Sequence, residues 1–188
     1  MRNRLALAIV ACSALALFAP PAPAAEAAKP AAPAGFQADL LGDYGYITGH
    51  LLQLADAVPA DKYGWRPGEG VRSFAEVLGH VAAANYYGSA ALGTPTPAGV
   101  DPQKLESTSD KAQAVAALRA AIEHFQKAAA AVDPKALDDQ VEIFGMTLSK
   151  RRVMLIMQGH AHEHTGQAIA YARMNGIVPP WSRTQASN

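Results

Sequence analysis

The sequence nearly lacks cysteine, since Cys12 is the only one among 188 residues. Cys12 lies in an N-terminal apolar segment that we expect to be removed on export. The mature protein would then contain neither a disulfide bond nor a thiol nucleophile. Its stability must therefore come from side-chain packing, and its chemistry must come from other residue types.

An excess of charge of one sign is also missing, because 16 Lys and Arg residues balance 16 Asp and Glu residues. The densest basic cluster is the Lys-Arg-Arg segment at residues 150–152, and nothing suggests a nucleic-acid footprint. After the N-terminal segment, no apolar run approaches the length needed to cross a membrane. We therefore expect no nucleic-acid partner and no transmembrane span in the mature form.

The N-terminus has the three parts of a secretory signal peptide. Arg2 and Arg4 precede an apolar run at residues 5–19, and an Ala-Pro-Ala motif at residues 22–24 offers small residues to a signal peptidase. We expect residues 1–24 to be cleaved, the protein to be periplasmic or secreted, and intact-mass analysis to show the shorter chain. The less favoured alternative is a lipobox with a lipidated Cys12, which would change the location and not the fold.

The rest of the chain predicts one domain with short flanking segments. Residues 25–35 are rich in Ala and Pro and predict a linker with nothing to bury. Residues 36–180 form the domain, and residues 181–188 form a C-terminal tail. A domain of about 150 residues is long enough to bury a real hydrophobic core.

Apolar residues at three- and four-residue spacing predict four long amphipathic helices in this domain. They cover about residues 36–58, 73–92, 110–132 and 149–174. The second helix opens with a Ser-Phe-Ala-Glu capping box, and the fourth ends at an Asn-Gly pair that suits a helix C-terminus. Any strand should be confined to residues 141–147. The pattern predicts an all-α four-helix bundle.

Histidines are concentrated on the fourth predicted helix. Because a helix advances about 100° per residue, His160 and His164 lie nearly on one face, whereas His162 lies about 200° from His160. The pair falls on the apolar stripe that should point inward, and His80 falls on a comparable stripe of the second helix. A bundle could bring these three imidazoles together, and three ligands leave a coordination position open, as in catalytic metal sites.

Spacing alone leaves simpler interpretations of the histidines open. A His pair four residues apart is a weak signal, although burying neutral imidazoles without partners is unfavourable and metal coordination would remove that penalty. His50 is a candidate fourth ligand, a hydrogen-bonding neighbour or a residue at the edge of the core, and we favour the last two. His124 and His162 are expected to face solvent. Glu163 either orients an imidazole or pairs with a surface base.

Two segments together resemble a known family. They are KYGWRPGEGVRSFAEVLGHVAAANYY at residues 62–87 and GHAHEHTGQAIAYARMNGIVPP at residues 159–180. With them the chain resembles the DinB-like superfamily, including its YfiT-like members, over about residues 36–180. The resemblance implies an up-down-down-up four-helix bundle that binds a divalent metal through a histidine early in the second helix and a His-x-x-x-His pair on the last. The matching residues are His80, His160 and His164.

The resemblance says less about the reaction than about the metal. Some relatives resemble thiol-dependent S-transferases and others metal-dependent hydrolases. A divalent ion with three neutral imidazoles keeps its full charge, so it can acidify water or hold a thiolate. We therefore expect an exported metal-dependent enzyme with a small-molecule substrate. Export weakens the transferase interpretation, because cytosolic thiols would be scarce outside the membrane. The alternative is a non-catalytic metal- or ligand-binding bundle.

Several properties stay open at this point. Three imidazoles discriminate little among divalent metals, and we favour Zn or Ni over Fe, Mn and Cu. No residue stands out as the general base, and the candidates are Tyr44, Tyr86, Tyr87 and Glu163. An apolar face of the bundle could also form a homodimer.

Overall fold

Four long helices dominate the computed structural model, which describes residues 34–183. They are α1 (Phe36–Ala57), α2 (Phe74–Ala91), α4 (Lys111–Ala131) and α5 (Lys150–Met174). A short helix, α3 (Pro102–Leu105), lies between α2 and α4, and strands β1 (Gln140–Ile143) and β2 (Met146–Ser149) lie between α4 and α5. The expected signal peptide, the lipobox and most of the linker lie outside the described residues. These expectations therefore stay predictions.

Local capping explains why the long helices begin where the sequence predicts. The side chains of Ser73, Asp110 and Ser149 each accept a hydrogen bond from a backbone N–H in the first turn of α2, α4 and α5. Gly176 follows α5 with a φ of 73°, a conformation that glycine adopts without strain. The predicted helices are thus confirmed with nearly the same ends.

The sequence-based prediction missed α3. Its start carries the usual signals, because Asp101 accepts a hydrogen bond from the backbone N–H of Gln103 and Pro102 occupies the first helical position. The helix is only 4 residues long, so it has no apolar stripe that periodicity could reveal.

Contacts between helix ends show that α1 and α4 are antiparallel. Near the start of α1, Gln37 Nε2 donates to the carbonyl oxygens of Ala129 and Val132 at the end of α4, at 3.0 and 2.9 Å. At the other end, Lys111 Nζ donates to the carbonyl oxygen of Val58, at 2.7 Å. These bonds also satisfy terminal carbonyl groups that helices cannot pair internally.

The direction of α5 completes the topology. Gln158 Nε2 donates to Asp43 Oδ2 at 3.1 Å, and further along α1 the ring of His50 lies 4.4 Å from that of Trp181, beyond α5. Therefore α1 and α5 run in the same direction. The hydroxyl of Tyr171, late in α5, donates to the carbonyl oxygen of Arg72 just before α2, so α2 and α5 are antiparallel. The order is up-down-down-up, as the resemblance implies.

Each long helix packs against two others, with α1 and α2 both contacting α4 and α5. All four contribute side chains to one buried core, among them Leu51, Leu54, Leu78, Val81, Leu118, Phe125, Val153 and Met154. One polar link crosses this core, because the buried hydroxyl of Tyr44 donates to Asn85 Oδ1 at 2.8 Å. Burial raises the pKa of Tyr44 well above its usual value, so this hydroxyl keeps its proton.

The hairpin of β1 and β2 covers the segment where the sequence allowed for strand, residues 141–147, and extends past it to Gln140 and Ser149. Ile143 pairs with Met146, which leaves a two-residue turn of Phe144 and Gly145. Both turn residues have positive φ, 52° and 74°. Glycine and asparagine suit such a turn, whereas a side chain such as that of Phe144 costs about 1 kcal/mol or more there.

Within residues 34–183, no helix is both long and apolar enough to cross a bilayer.

Candidate metal centre

Helix α2 positions His80. The capping box is complete, since Ser73 Oγ accepts from the backbone N–H of Glu76 and the Glu76 carboxylate accepts from the backbone N–H of Ser73 at 2.6 Å. These two bonds fix the first turn of α2 and with it the direction of every later side chain on the helix. The backbone hydrogen bonds also hold the pKa of Glu76 below its usual range. His80 consequently points toward α5.

Helix α5 positions His160 and His164 one turn apart on the face that meets α2. The rings of His160 and His164 lie 4.3 Å apart, and each lies 4.9 Å from the ring of His80. One ligand nitrogen from each of the three residues falls within 4.8 Å of the others. The structure therefore brings together the three histidines that the sequence singled out.

The spacing of the nitrogens fits a metal ion. The Nε2 atoms of His80 and His160 are 3.1 Å apart. Two nitrogens bound to one tetrahedral Zn²⁺ at about 2.1 Å lie about 3.4 Å apart, so little adjustment is needed. The cluster could hold a divalent ion.

Hydrogen bonds to the Nδ1 atoms of His80 and His164 leave the Nε2 atoms of these two rings free to bind metal. His80 Nδ1 lies 3.3 Å from Glu106 Oε2, and His164 Nδ1 lies 2.7 Å from Gln167 Oε1. A carboxylate or an amide oxygen can only accept, so in a neutral ring each Nδ1 carries the hydrogen and each Nε2 keeps its lone pair. This is the arrangement that metal-bound histidines usually show.

Burial keeps the rings of His160 and His80 neutral. It lowers the pKa of His160 to about 3, and the neighbouring imidazoles of His164 and His80 and the guanidinium of Arg72 act in the same direction. Burial also lowers the pKa of His80, with help from Arg72 and His164 and against the opposing effect of Glu106. Near neutral pH, both rings therefore offer lone pairs rather than positive charge.

Glu106 is the functional candidate that sequence reasoning missed. It follows α3 directly, and its Oε2 contacts both His80 and the guanidinium of Arg72, the latter at 3.1 Å. The only local signal in the sequence was the Asp-Pro pair at the start of α3, which predicts a short helix just before Glu106. The carboxylate offsets the charge of Arg72 and orients the ring of His80.

A second chain of contacts supports His164. Gln167 accepts from His164 and donates through Nε2 to the hydroxyl of Tyr171, at 2.9 Å. The hydroxyl of Tyr171 donates in turn to the carbonyl oxygen of Arg72, at 3.2 Å. The ring of Trp65 packs edge-on against Tyr171 at 5.2 Å and holds this chain in place.

The other histidines lie outside the cluster. His162 is exposed and its Nδ1 contacts the carbonyl oxygen of Gln158, as its place on the helix predicts. The ring of His50 lies between those of Tyr46 and Trp181, each at 4.4 Å, and belongs to the edge of the bundle. The prediction for His124 was wrong, because this ring is half-buried and lies 5.3 Å from that of Tyr86.

The structure also distinguishes among the candidates for a general base. Glu163 is exposed and, within residues 34–183, forms no hydrogen bond with an imidazole. The carboxylate that contacts an imidazole is that of Glu106. Tyr44 is in the core with its hydroxyl bonded to Asn85. Tyr86 is buried and packs on His124, and burial raises the pKa of its hydroxyl. Only Tyr87 lies beside the cluster, in the pocket described next.

A pocket of about 270 Å³ opens beside the histidines. It is lined by His80, His160, Glu106, Ala84, Tyr87, Phe144, Ile156 and Met157. A larger groove of about 760 Å³ lies at the ends of α1 and α4, but it contains no histidine, and Arg119 and Asp56 pair there at 3.5 Å. The smaller pocket, which has two histidines in its lining, is therefore the candidate substrate-binding site.

Comparison with protein families identifies one whose model matches this chain. The model of the DinB superfamily matches residues 48–168, which include all three histidines of the cluster. No curated protein is significantly similar to the sequence.

Solved structures share the fold at low sequence identity. A DinB-like protein from Bacillus cereus ATCC 10987 has a TM-score of 0.67 and 16% identity, over 78% of this chain and 98% of that one. A DinB-like protein from Bacillus subtilis has a TM-score of 0.60 and 17% identity, over 74% of this chain and 93% of that one. A histidine-to-alanine mutant of the mycothiol-dependent maleylpyruvate isomerase has a TM-score of 0.58 and 15% identity, over 71% of this chain and 62% of that one.

Proposed function

The chain belongs to the DinB superfamily, and on that premise we propose that it is a metal-dependent enzyme whose divalent ion is held by His80, His160 and His164. The reaction we favour is hydrolysis of an ester or amide bond in a small molecule. The observation that carries this proposal is the convergence of three imidazole nitrogens within 4.8 Å, two of them from residues, His80 and His160, that line a pocket.

The donor set also indicates which metals would fit. Neutral imidazoles suit Zn²⁺ and Ni²⁺, the two ions we favour; Cu²⁺ would bind at least as tightly, and Fe²⁺ and Mn²⁺ more weakly. When bound, such an ion supplies a Lewis acid that polarises a carbonyl group and lowers the pKa of water or of a thiol. Three protein ligands would leave room for a substrate, as in catalytic rather than structural sites.

The protein residues around the cluster have separate tasks. Glu106 and Gln167 fix the rings of His80 and His164 through their Nδ1 atoms. Ile156 and Met157 line the pocket beside His160 and exclude water from one side of the site. Such exclusion strengthens electrostatic interactions with a substrate because the local dielectric constant is lower.

The proposal is tested by activity that depends on the metal. The protein would be purified without a nickel column, stripped with a chelator, reloaded with one metal at a time, and assayed against chromogenic esters, lactones, thioesters and amides. We expect turnover of at least one ester or amide to disappear on chelation and return with metal. Protein that binds metal stoichiometrically but turns over nothing in the panel would contradict the enzymatic part and favour a non-catalytic binding bundle.

Thiol transfer is a second candidate. It is favoured by the fold shared with the mycothiol-dependent maleylpyruvate isomerase, and a divalent ion can hold a thiolate in nucleophilic form. Export, which we propose from the N-terminal segment, would separate the protein from cytosolic thiols. Metal-dependent loss of free thiol in the presence of an electrophile, with no hydrolysis of the ester panel, would support transfer over hydrolysis.

The contact of Glu106 with His80 gives a prediction about metal affinity. Glu106→Gln removes the negative charge that orients the ring and offsets Arg72. We expect Zn²⁺ to bind about 10- to 100-fold more weakly, as for other residues that support a metal ligand. The measurement is competition with a chromophoric chelator.

Glu163→Gln is the matched control, because it makes the same chemical change at an exposed position on α5. We expect its Zn²⁺ affinity to equal that of the wild type. If Glu106→Gln and Glu163→Gln have the same affinity, Glu106 does not position the ligand.

A further inference from the structure

The pocket beside the histidines has one polar end and an otherwise apolar lining. Its three charged or imidazole-bearing residues, His80, Glu106 and His160, form one group, because His80 contacts both of the others. The remaining lining consists of Ala84, Tyr87, Phe144, Ile156 and Met157. A molecule whose polar group lies at the histidines would therefore place the rest of its structure against apolar side chains.

The apolar surface continues beyond this pocket. A second groove of about 420 Å³ shares Tyr87 and Phe144 with the first and extends along Ala90, Ala91 and Ile143, with Glu142 as its one charged lining residue. The rings of Tyr87 and Phe144 lie 6.0 Å apart, nearly perpendicular to each other. These two rings lie between the pocket and the groove and form part of the lining of both.

Phe144 is unusual for the position it occupies. It lies in the left-handed region with a φ of 52°, where asparagine and glycine are favoured over a bulky aromatic residue. Its side chain is 56% exposed, so it contributes little to the core. A residue that strains its own backbone without adding to the core is a candidate for function.

We propose that Phe144 and Tyr87 form an apolar subsite that selects substrates carrying an acyl chain or an aryl group next to the group that meets the metal. The inference rests on the proposed function and adds the substrate class. The strained turn places an aromatic ring in the lining of both the pocket and the groove, where it would bury the apolar part of the substrate. An Asn-Gly turn would form the same hairpin, but the pocket would then lack the apolar surface that Phe144 supplies.

Hydroxamic acids of increasing chain length test the subsite, because their head group binds metal ions whatever the tail. Acetohydroxamate and octanohydroxamate would be titrated into the full-length, zinc-loaded protein by calorimetry. For the wild type we expect affinity to rise about threefold to fourfold with each methylene group that is buried. Longer tails should gain nothing further once they leave the groove.

The informative variants are Phe144→Asn and Phe144→Gly, because both residues suit a positive φ and should preserve the turn. We expect them to keep the wild-type zinc content and to bind acetohydroxamate within twofold of the wild type. Their melting temperature should be at or slightly above that of the wild type, because the strained φ of residue 144 is relieved. Octanohydroxamate should bind at least 10-fold more weakly than to the wild type. Met146→Ala is the matched control, since Met146 is a 45% exposed apolar residue in the same hairpin and is not part of the pocket lining.

The outcomes separate this inference from the proposed function. Zinc-loaded protein with no dependence on tail length, or equal losses in Met146→Ala and Phe144→Asn, would overturn the subsite alone. Wild-type protein that binds no zinc would overturn the proposed function, and the subsite with it.

Discussion

The His160→Ala, His164→Ala double variant is expected to lose metal binding altogether. It removes two of three converging nitrogens, and the remaining imidazole of His80 cannot hold a divalent ion with useful affinity. Alanine is a strong helix former, so α5 itself should persist. Elemental analysis after purification without a nickel column should find about one metal ion per chain in the wild type and almost none in the variant.

The same variant should lose the stability that metal provides. An ion that binds only the folded state at about 1,000 times its dissociation constant adds about 4 kcal/mol. For a protein of this size that corresponds to a melting temperature about 10 °C higher. The wild type should therefore melt at a higher temperature with Zn²⁺ than with chelator, whereas the double variant should melt at one temperature under both conditions.

His162→Ala is the control for this experiment. His162 lies within the same His-rich segment but is exposed on the opposite side of α5. Metal content and the effect of Zn²⁺ on melting should match the wild type. Equal metal content in the double variant and the wild type would eliminate the proposed centre.

Gly79→Ala is expected to be the most damaging small substitution near the site. A Cβ at residue 79 would lie 2.0 Å from the carbonyl oxygen of Leu105 and 3.0 Å from Thr108 Cγ2. The first of these contacts is with backbone, which cannot rotate away as a flexible side chain could. The segment that follows α3 would have to move away from α2, and Glu106 would move with it.

We expect Gly79→Ala to lower the free energy of unfolding by about 3 kcal/mol, at the upper end for overpacking. Zn²⁺ affinity should fall as well, because the contact between Glu106 and His80 depends on this close approach. Urea denaturation gives the first quantity and chelator competition gives the second.

Gly42→Ala is the matched control on α1. No atom lies within 4 Å of a Cβ at that position, and the residue is exposed. Replacing a helical glycine there should raise stability by about 0.5–1 kcal/mol. If Gly79→Ala behaves like Gly42→Ala, the packing of α3 on α2 does not constrain the site.

Sequence alone was sufficient for the four long helices and for the face of α5 on which its histidines lie. Capping by Ser73 and Ser149 involves residues three positions apart, and the alignment of His160 with His164 follows from helical geometry. Such signals are local, so no tertiary contact is needed to read them. The exposed position of His162 was predictable for the same reason.

The expectation that His80 meets the pair on α5 used more than local information. The apolar stripes placed His80 on an inward face, and the family resemblance supplied the arrangement of the helices. The structure shows the three rings together. Metal binding itself stays a prediction until it is measured.

Tertiary structure alone decided the surroundings of the site. Glu106 is 26 residues from His80 and reaches it only because α3 packs on Gly79. His124 is half-buried rather than solvent-facing because Tyr86 of α2 lies against it. Phe144 lines the pocket only because a two-residue turn carries it there. Helix caps and stripes depend on neighbours within one turn, whereas these contacts depend on how loops return to the bundle, which local sequence does not specify.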